Sequence, residues 1–171
     1  MLLKGSDFKI YLSFLLDLLN GIVMAQSLTH KTSIEAYSDL EEKQAGYLVD
    51  VRTNNELSAS GVVDLSSIGD KVIFCEWKSQ LNFDPSYDFT EELLKKIQIN
   101  ETAALYFICA AGIRSYEAAK RTMADLSHMR LNINFVNISD GFEGISGFFF
   151  NYGKNSGWKK SGLPWCQFDK I

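Results

Sequence analysis

The chain has 171 residues, of which 46% are hydrophobic and 22% charged, and its formal net charge is −4. These values are typical of one ordinary globular domain with enough apolar residues for a core. Acidic and basic residues are mixed, so no basic stripe is present to neutralise a phosphate backbone, and we expect no nucleic-acid partner.

The first segment to interpret is the strongly apolar run at residues 8–23. A helix that spans a membrane needs about 20 apolar residues with few charges, and Asp17 interrupts this run, so we expect no span. Polar residues recur along it at helical spacing, namely Lys9, Ser13, Asp17 and Asn20. This spacing favours an amphipathic helix within residues 1–28, with the folded domain over residues 29–171.

Two other interpretations of this segment stay open. Basic residues precede the apolar run and Val23-Met24-Ala25 resembles a small-residue cleavage site, which is typical of a signal peptide, although Asp17 argues against one. Met24 is also a candidate for the natural start. We expect a cytoplasmic protein, or an exported one if residues 1–25 are a signal peptide. The apolar helix face would mediate docking on the chain's own domain, dimerisation or contact with a membrane surface.

The rest of the chain alternates short apolar runs with helical patterns. The apolar runs lie at 47–51, 72–76, 104–108 and 133–136. The helical patterns lie at 32–45, 88–98 and 115–127. Continuous apolar runs are typical of strands buried on both faces, and their alternation with helices predicts an α/β fold with a parallel sheet. Ligands bind beyond the carboxyl ends of such strands, which directs attention to the loops after each run.

The cysteine and histidine content limits the chemistry. Cys75, Cys109 and Cys166 form no CxxC pair and leave at least one thiol free, which is typical of a reducing compartment. His30 and His128 lie far apart in the sequence and belong to no Cys/His cluster. We therefore expect no metal site and no other cofactor.

The loop after residues 104–108 is the candidate catalytic site. It consists of Cys109, Ala110, Ala111, Gly112, Ile113, Arg114 and Ser115, with a helix beginning near Ser115. The free N–H groups and positive dipole end of that helix favour an anion, such as a thiolate or persulfide. Small residues and Gly112 allow the loop to curl around the sulfur, and Arg114 adds positive charge at the rim. Cys109 is therefore the predicted nucleophile, whereas Cys75 and Cys166 lack such a loop and are interpreted as packing residues.

The same loop resembles the sulfurtransferase loop of the rhodanese family, C-x-x-G-x-R-S. Further segments resemble that family at the expected distances: Leu48-Val49-Asp50-Val51-Arg52 with Glu56 and Gly61, Glu76-Trp77, Asp140-Gly141-Phe142-Glu143-Gly144, and Gly157-Trp158 with Gly162-Leu163-Pro164. The likeness covers about residues 30–166. It implies a five-stranded parallel sheet flanked by helices on both faces.

The resemblance also implies a two-step sulfur transfer. Cys109 would take a sulfane sulfur from thiosulfate or a protein persulfide, become a persulfide, and pass the sulfur to a thiol or to cyanide. Residues 110–115 would bind the anionic sulfur. Asp50, Arg52 and Glu56 are expected to support the loop as scaffold, with Arg52 paired to Glu56 and Asp50 accepting loop N–H groups.

One position departs from the family pattern. Many members carry Arg or Lys directly after the cysteine, and here that residue is Ala110. We therefore expect thiosulfate to be a poor donor and a protein persulfide to be a better one.

Two other functions compete with sulfur transfer as interpretations of this loop. Phosphatases of this fold use a C-x5-R loop, whereas Cys109 to Arg114 is C-x4-R, which favours a sulfur atom over a phosphoryl group. The alternative from another class is a non-catalytic rhodanese-like module for protein interaction or redox sensing, in which a reactive thiol would respond to oxidants.

Overall fold

The computed structural model describes residues 26–42, 46–69, 71–77, 87–98, 102–129, 132–144 and 156–168. The segment at residues 1–25, with its predicted helix and the alternatives to it, lies outside these residues. Within the described ranges, no helix has the length and apolar character needed to cross a membrane.

The described strands and helices alternate along the chain. The strands are β1 (Ser27–Lys31), β2 (Gly46–Asp50), β3 (Val62–Val63), β4 (Val72–Phe74), β5 (Thr102–Ile108), β6 (Asn132–Ile138) and β7 (Trp165–Cys166). The helices are α1 (Ser33–Glu42), α2 (Asn54–Ser60), α3 (Phe89–Leu94) and α4 (Ile113–Asp125), with a 3₁₀ turn at Ser66–Ile68.

Five strands form the main sheet in the order β1-β6-β5-β2-β4, and every pair in it is parallel. Strands β3 and β7 form a separate antiparallel pair. The predicted α/β fold with a five-stranded parallel sheet is confirmed. Because β5 lies between β6 and β2, the loop after β5 emerges at the middle of the sheet's carboxyl edge.

Apolar cores cover both faces of this sheet. Along β5, Leu105 and Phe107 pack toward α3 and α4, whereas Tyr106 and Ile108 pack toward α1. Each such side chain contributes about 1.5–3 kcal/mol by leaving water. The hydroxyl of Tyr106 donates to Asp39 at 3.0 Å and so keeps a hydrogen-bond partner.

Several elements differ from the sequence-based expectation. Strand β1 was not predicted, because it is a polar edge strand whose side chains are mostly exposed, and it places the start of the sheet before residue 29. Helix α2 was also missed, since it is short and depends on a capping box between Thr53 and Glu56. The helix predicted over 88–98 ends at Leu94. Residues 43–45, the predicted end of the first helix, lie outside the described ranges.

Candidate active site

The loop after β5 brings Cys109 to the amino end of helix α4. Gly112 is the N-cap of this helix, and its backbone N–H donates to the Cys109 Sγ at 3.1 Å. The Ser115 Oγ lies 3.3 Å from the same sulfur. Cys109 is only 2% exposed. The predicted juxtaposition of this sulfur with a helix N-terminus is therefore present in the structure.

The loop is fixed in place by the loop that follows β6. The N–H groups of Phe142 and Glu143 donate to the carbonyls of Cys109 and Ala110, at 2.8 and 3.0 Å. A Cβ atom on Gly112 would lie 2.0 Å from the carbonyl oxygen of Ser139, so no other residue fits without a backbone shift. The family-like glycine at 112 is thus explained by a close backbone contact together with its φ of +82°.

Asn137, on β6, controls the hydroxyl of Ser115. Its Nδ2 donates to the Gly112 carbonyl at 3.1 Å, so its Oδ1 must be the atom that accepts from the Ser115 hydroxyl at 2.7 Å. A hydroxyl has one proton, so while Ser115 donates to Asn137 it offers Cys109 only its lone pairs. Ser115 accepts from a thiol in this arrangement and must rotate to donate to a thiolate.

Asn137 was not identified from the sequence. It is 2% exposed, and its Nδ2 also lies 3.3 Å from the His30 Nδ1. The available signal was a polar residue inside an apolar strand segment, which usually marks a buried group with specific hydrogen-bond partners.

Arg114 is paired with Glu56. Its Nη1 donates to the Glu56 Oε2 at 2.8 Å, and its Nη2 bonds the other carboxylate oxygen. Glu56 also accepts from the backbone N–H and the hydroxyl of Thr53, both at 3.0 Å. The Arg114 guanidinium is the main reason that the pKa of Glu56 falls to about 2.

Cys109 and Asp50 also act on Arg114. Its pKa is raised, first by the hydrogen bond with Glu56 and then by the electrostatic contributions of Glu56, Cys109 and Asp50. Arg114 is half-buried beside the loop, and the Glu56 carboxylate takes one N–H group from each of its terminal nitrogens.

The expected pairing of Arg52 with Glu56 is wrong. Arg52 instead binds both oxygens of Asp50, with Nη2 to Oδ2 at 2.6 Å and Nε to Oδ1 at 3.0 Å. Both side chains are fully buried. Arg52 also donates to the Gly61 carbonyl at 3.0 Å and lies 4.0 Å from the centre of the Phe142 ring. Asp50 accepts the backbone N–H of Arg52 at 3.1 Å, so this pair joins three loops of the carboxyl edge.

The remaining loop residues form an apolar rim. Ala110 and Ala111 are half-buried, and Ile113 is 74% exposed. The other cysteines have different surroundings: burial raises the pKa of Cys75, and Cys166 lies on β7. Among the described residues, no group of three or more His, Cys, Asp and Glu side chains is placed to hold a metal ion.

Comparison with known proteins gives relatives above 30% identity. No family model matches the chain. The uncharacterized protein RC0915 of Rickettsia conorii is 34% identical over 139 residues, which cover 81% of this chain and 98% of that protein. The crystal structure of Rv0390 from M. tuberculosis is 31% identical with a TM-score of 0.65, and the match covers 81% of this chain and 97% of that one.

A more distant structure has the same fold. The solution structure of the polysulfide-sulfur transferase homodimer from Wolinella succinogenes is 21% identical with a TM-score of 0.51, covering 81% of this chain and 78% of that one.

Proposed function

We propose that this chain, which belongs to the family of RC0915 and Rv0390, is a sulfurtransferase with Cys109 as the sulfur carrier. Its rhodanese-like fold supports this proposal. The observation that carries this proposal is the position of the Cys109 Sγ, which accepts the Gly112 N–H at the amino end of α4. A thiolate and a persulfide are both stabilised by that environment.

The chemistry has two balanced steps. In the first, the Cys109 thiolate attacks the outer sulfur of a persulfide donor, the donor's sulfur–sulfur bond breaks, and the donor leaves as a thiolate. In the second, an acceptor thiolate attacks the outer sulfur of the Cys109 persulfide, and the Cys109 thiolate is regenerated. The negative charge stays on sulfur throughout, where the loop N–H groups and the α4 dipole stabilise it.

The residues around Cys109 have separate roles in this proposal. Residues 110–115 form the loop that receives the transferred sulfur, with the Gly112 N–H and the Ser115 hydroxyl nearest to it. Asp50 and Arg52 hold the neighbouring loops and do not touch the sulfur. Because Cys109 is nearly buried, the site admits the terminal sulfur of a donor more readily than a bulky group.

Intact-protein mass spectrometry after incubation with glutathione persulfide tests the proposal. We expect the wild type to gain one sulfur atom and Cys109→Ser to gain none. Cys75→Ser is the matched control, since Cys75 is an equally buried cysteine without a loop behind it, and it should gain sulfur like the wild type.

The rival function has its own outcome in this experiment. No gain of sulfur from a persulfide or from thiosulfate would overturn the transferase and favour an interaction or redox-sensing module. A gain that persists in Cys109→Ser would place the sulfur on another residue and would equally contradict the proposal.

A further inference from the structure

We propose that Glu56 selects the charge of the sulfur donor: by occupying Arg114, it leaves the Cys109 loop suited to a thiol persulfide and poorly suited to a dianion such as thiosulfate. This inference rests on the proposed function and assigns a specificity-determining role to a residue that does not touch the sulfur.

The charge of Arg114 is balanced by Glu56. Both of its terminal nitrogens bind the Glu56 carboxylate, one to each oxygen. The pair has no net charge, although each terminal nitrogen keeps one N–H group that the carboxylate does not take. A dianionic donor that approached those N–H groups would therefore also meet the neighbouring carboxylate.

Glu56 is itself fixed in position by hydrogen bonds to Thr53. Its Oε2 accepts from the backbone N–H and the hydroxyl of Thr53, which form the capping box at the start of α2. Moving the carboxylate away from Arg114 would break this cap, whose loss typically costs about 1 kcal/mol. The helix therefore keeps Glu56 against Arg114 while the donor approaches.

A second arginine also lies at the carboxyl edge of the sheet. Arg52, the second arginine near the loop, is buried against Asp50 and is equally matched by a carboxylate. Ala110 supplies no charge, and Ile113 is an exposed apolar side chain. The described surroundings of Cys109 thus offer a dianion no unmatched arginine to replace the water that it loses.

The two donors also differ in what leaves. With thiosulfate, the sulfur–sulfur bond breaks and sulfite departs as a dianion, so negative charge develops where a free cation would help most. With a thiol persulfide, a single thiolate leaves. A site whose arginines are already paired favours the second reaction over the first.

Glu56→Gln is the decisive variant, because glutamine serves in a capping box but carries no charge. We expect the second-order rate of Cys109 loading from thiosulfate to rise about tenfold, the effect of one freed charge-assisted hydrogen bond. Loading from cysteamine persulfide, whose ammonium group balances the ionised persulfide, should stay within about twofold. The gain with thiosulfate should shrink as salt is added.

Two further variants make the result specific. Glu117→Gln changes the net charge by the same amount on an exposed position of α4, and its donor preference should match the wild type. Ala110→Lys adds a cation at the rim without disturbing the Glu56–Arg114 pair, and it too should favour thiosulfate. Circular dichroism verifies that each variant is folded.

The outcomes separate this inference from the proposed function. If wild type is loaded equally fast by both donors, or if Glu56→Gln does not favour thiosulfate even though Ala110→Lys does, the inference is wrong while the transferase stands. An equal gain in Glu117→Gln would also overturn it, since general charge would be the cause. Loading by neither donor would overturn the proposed function, and the inference with it.

Discussion

The ionisation of Glu56 is linked to the stability of the loop that contains Cys109. The Glu56 side chain is 30% exposed, and its binding to Arg114 lowers its pKa to about 2, well below that of an unpaired glutamate. The unfolded chain takes up a proton at this residue near pH ~4.3. The stabilisation is therefore fully present above that range and is lost as the pH falls toward about 2.

This difference predicts a pH-dependent effect of Glu56→Gln on the free energy of unfolding. At neutral pH the variant should be less stable by about 1 kcal/mol, a value reduced for solvent screening at a partly exposed pair. At about pH 3 the difference should fall to less than half of that, since much of the linkage is lost by then. Urea unfolding at both pH values measures it. A difference that is the same at both would contradict the account, and Glu117→Gln should show no such trend.

At the scale of elements, the loop geometry depends on the contact between the turn after β5 and the turn after β6. Gly112→Ala would place a Cβ atom 2.0 Å from the Ser139 carbonyl oxygen at a φ of +82°. We expect this change to cost about 3 kcal/mol and to slow sulfur loading, because the Gly112 N–H must move away from the Cys109 sulfur.

Gly162→Ala is the matched control for this prediction. Gly162 has a φ of +74° and no atom within 4 Å of the added Cβ, so only backbone strain is introduced. Its cost should be about 1 kcal/mol. If urea unfolding shows equal costs for the two alanine variants, the close backbone contact does not limit the loop as we describe.

The sequence predicted the elements that consist of a continuous run of buried apolar residues. It missed the elements that form only through contacts with other parts of the chain. β5 and the loop after it were located because five apolar residues in a row precede Cys109. β1 is polar and forms because its edge position lets side chains such as His30 face solvent while its backbone bonds β6. No periodic pattern marks such a strand.

The site residues divide in the same way. Cys109, Gly112 and Ser115 follow one another closely, so the loop that joins them was visible in the sequence. The partners of the arginines depend on distances between separate elements, which explains why Glu56 was assigned to Arg52, four residues away, when it binds Arg114. The role of Asn137 depends on the pairing of β6 with β5, which the sequence alone does not show.

At the scale of the whole molecule, the Asp50–Arg52 pair connects the end of β2 with the end of α2 and the loop after β6. Arg52→Met would leave the Asp50 carboxylate buried without its partner, and we expect a loss of about 3–5 kcal/mol in the free energy of unfolding. Arg121→Met removes an exposed ion pair on α4, where the Arg121 Nε lies 2.7 Å from Asp125, and should cost less than about 1 kcal/mol. Comparable losses in the two variants would contradict the proposed scaffold role.

The likeness to RC0915 and Rv0390 covers most of this chain and nearly all of each relative. Most of the chain is therefore shared with that family. A shared fold does not by itself assign chemistry to the loop, because function depends on the residues of the site.

The most direct test is to follow both half-reactions on one sample by intact mass. Protein is first loaded with glutathione persulfide, freed of excess donor, and then mixed with an acceptor thiol. The account predicts that one sulfur atom is gained in the first step, is lost in the second, and appears on the acceptor, with none gained by Cys109→Ser. A wild type that gains no sulfur, or that keeps it in the presence of the acceptor, would contradict the claim that Cys109 is a sulfur carrier.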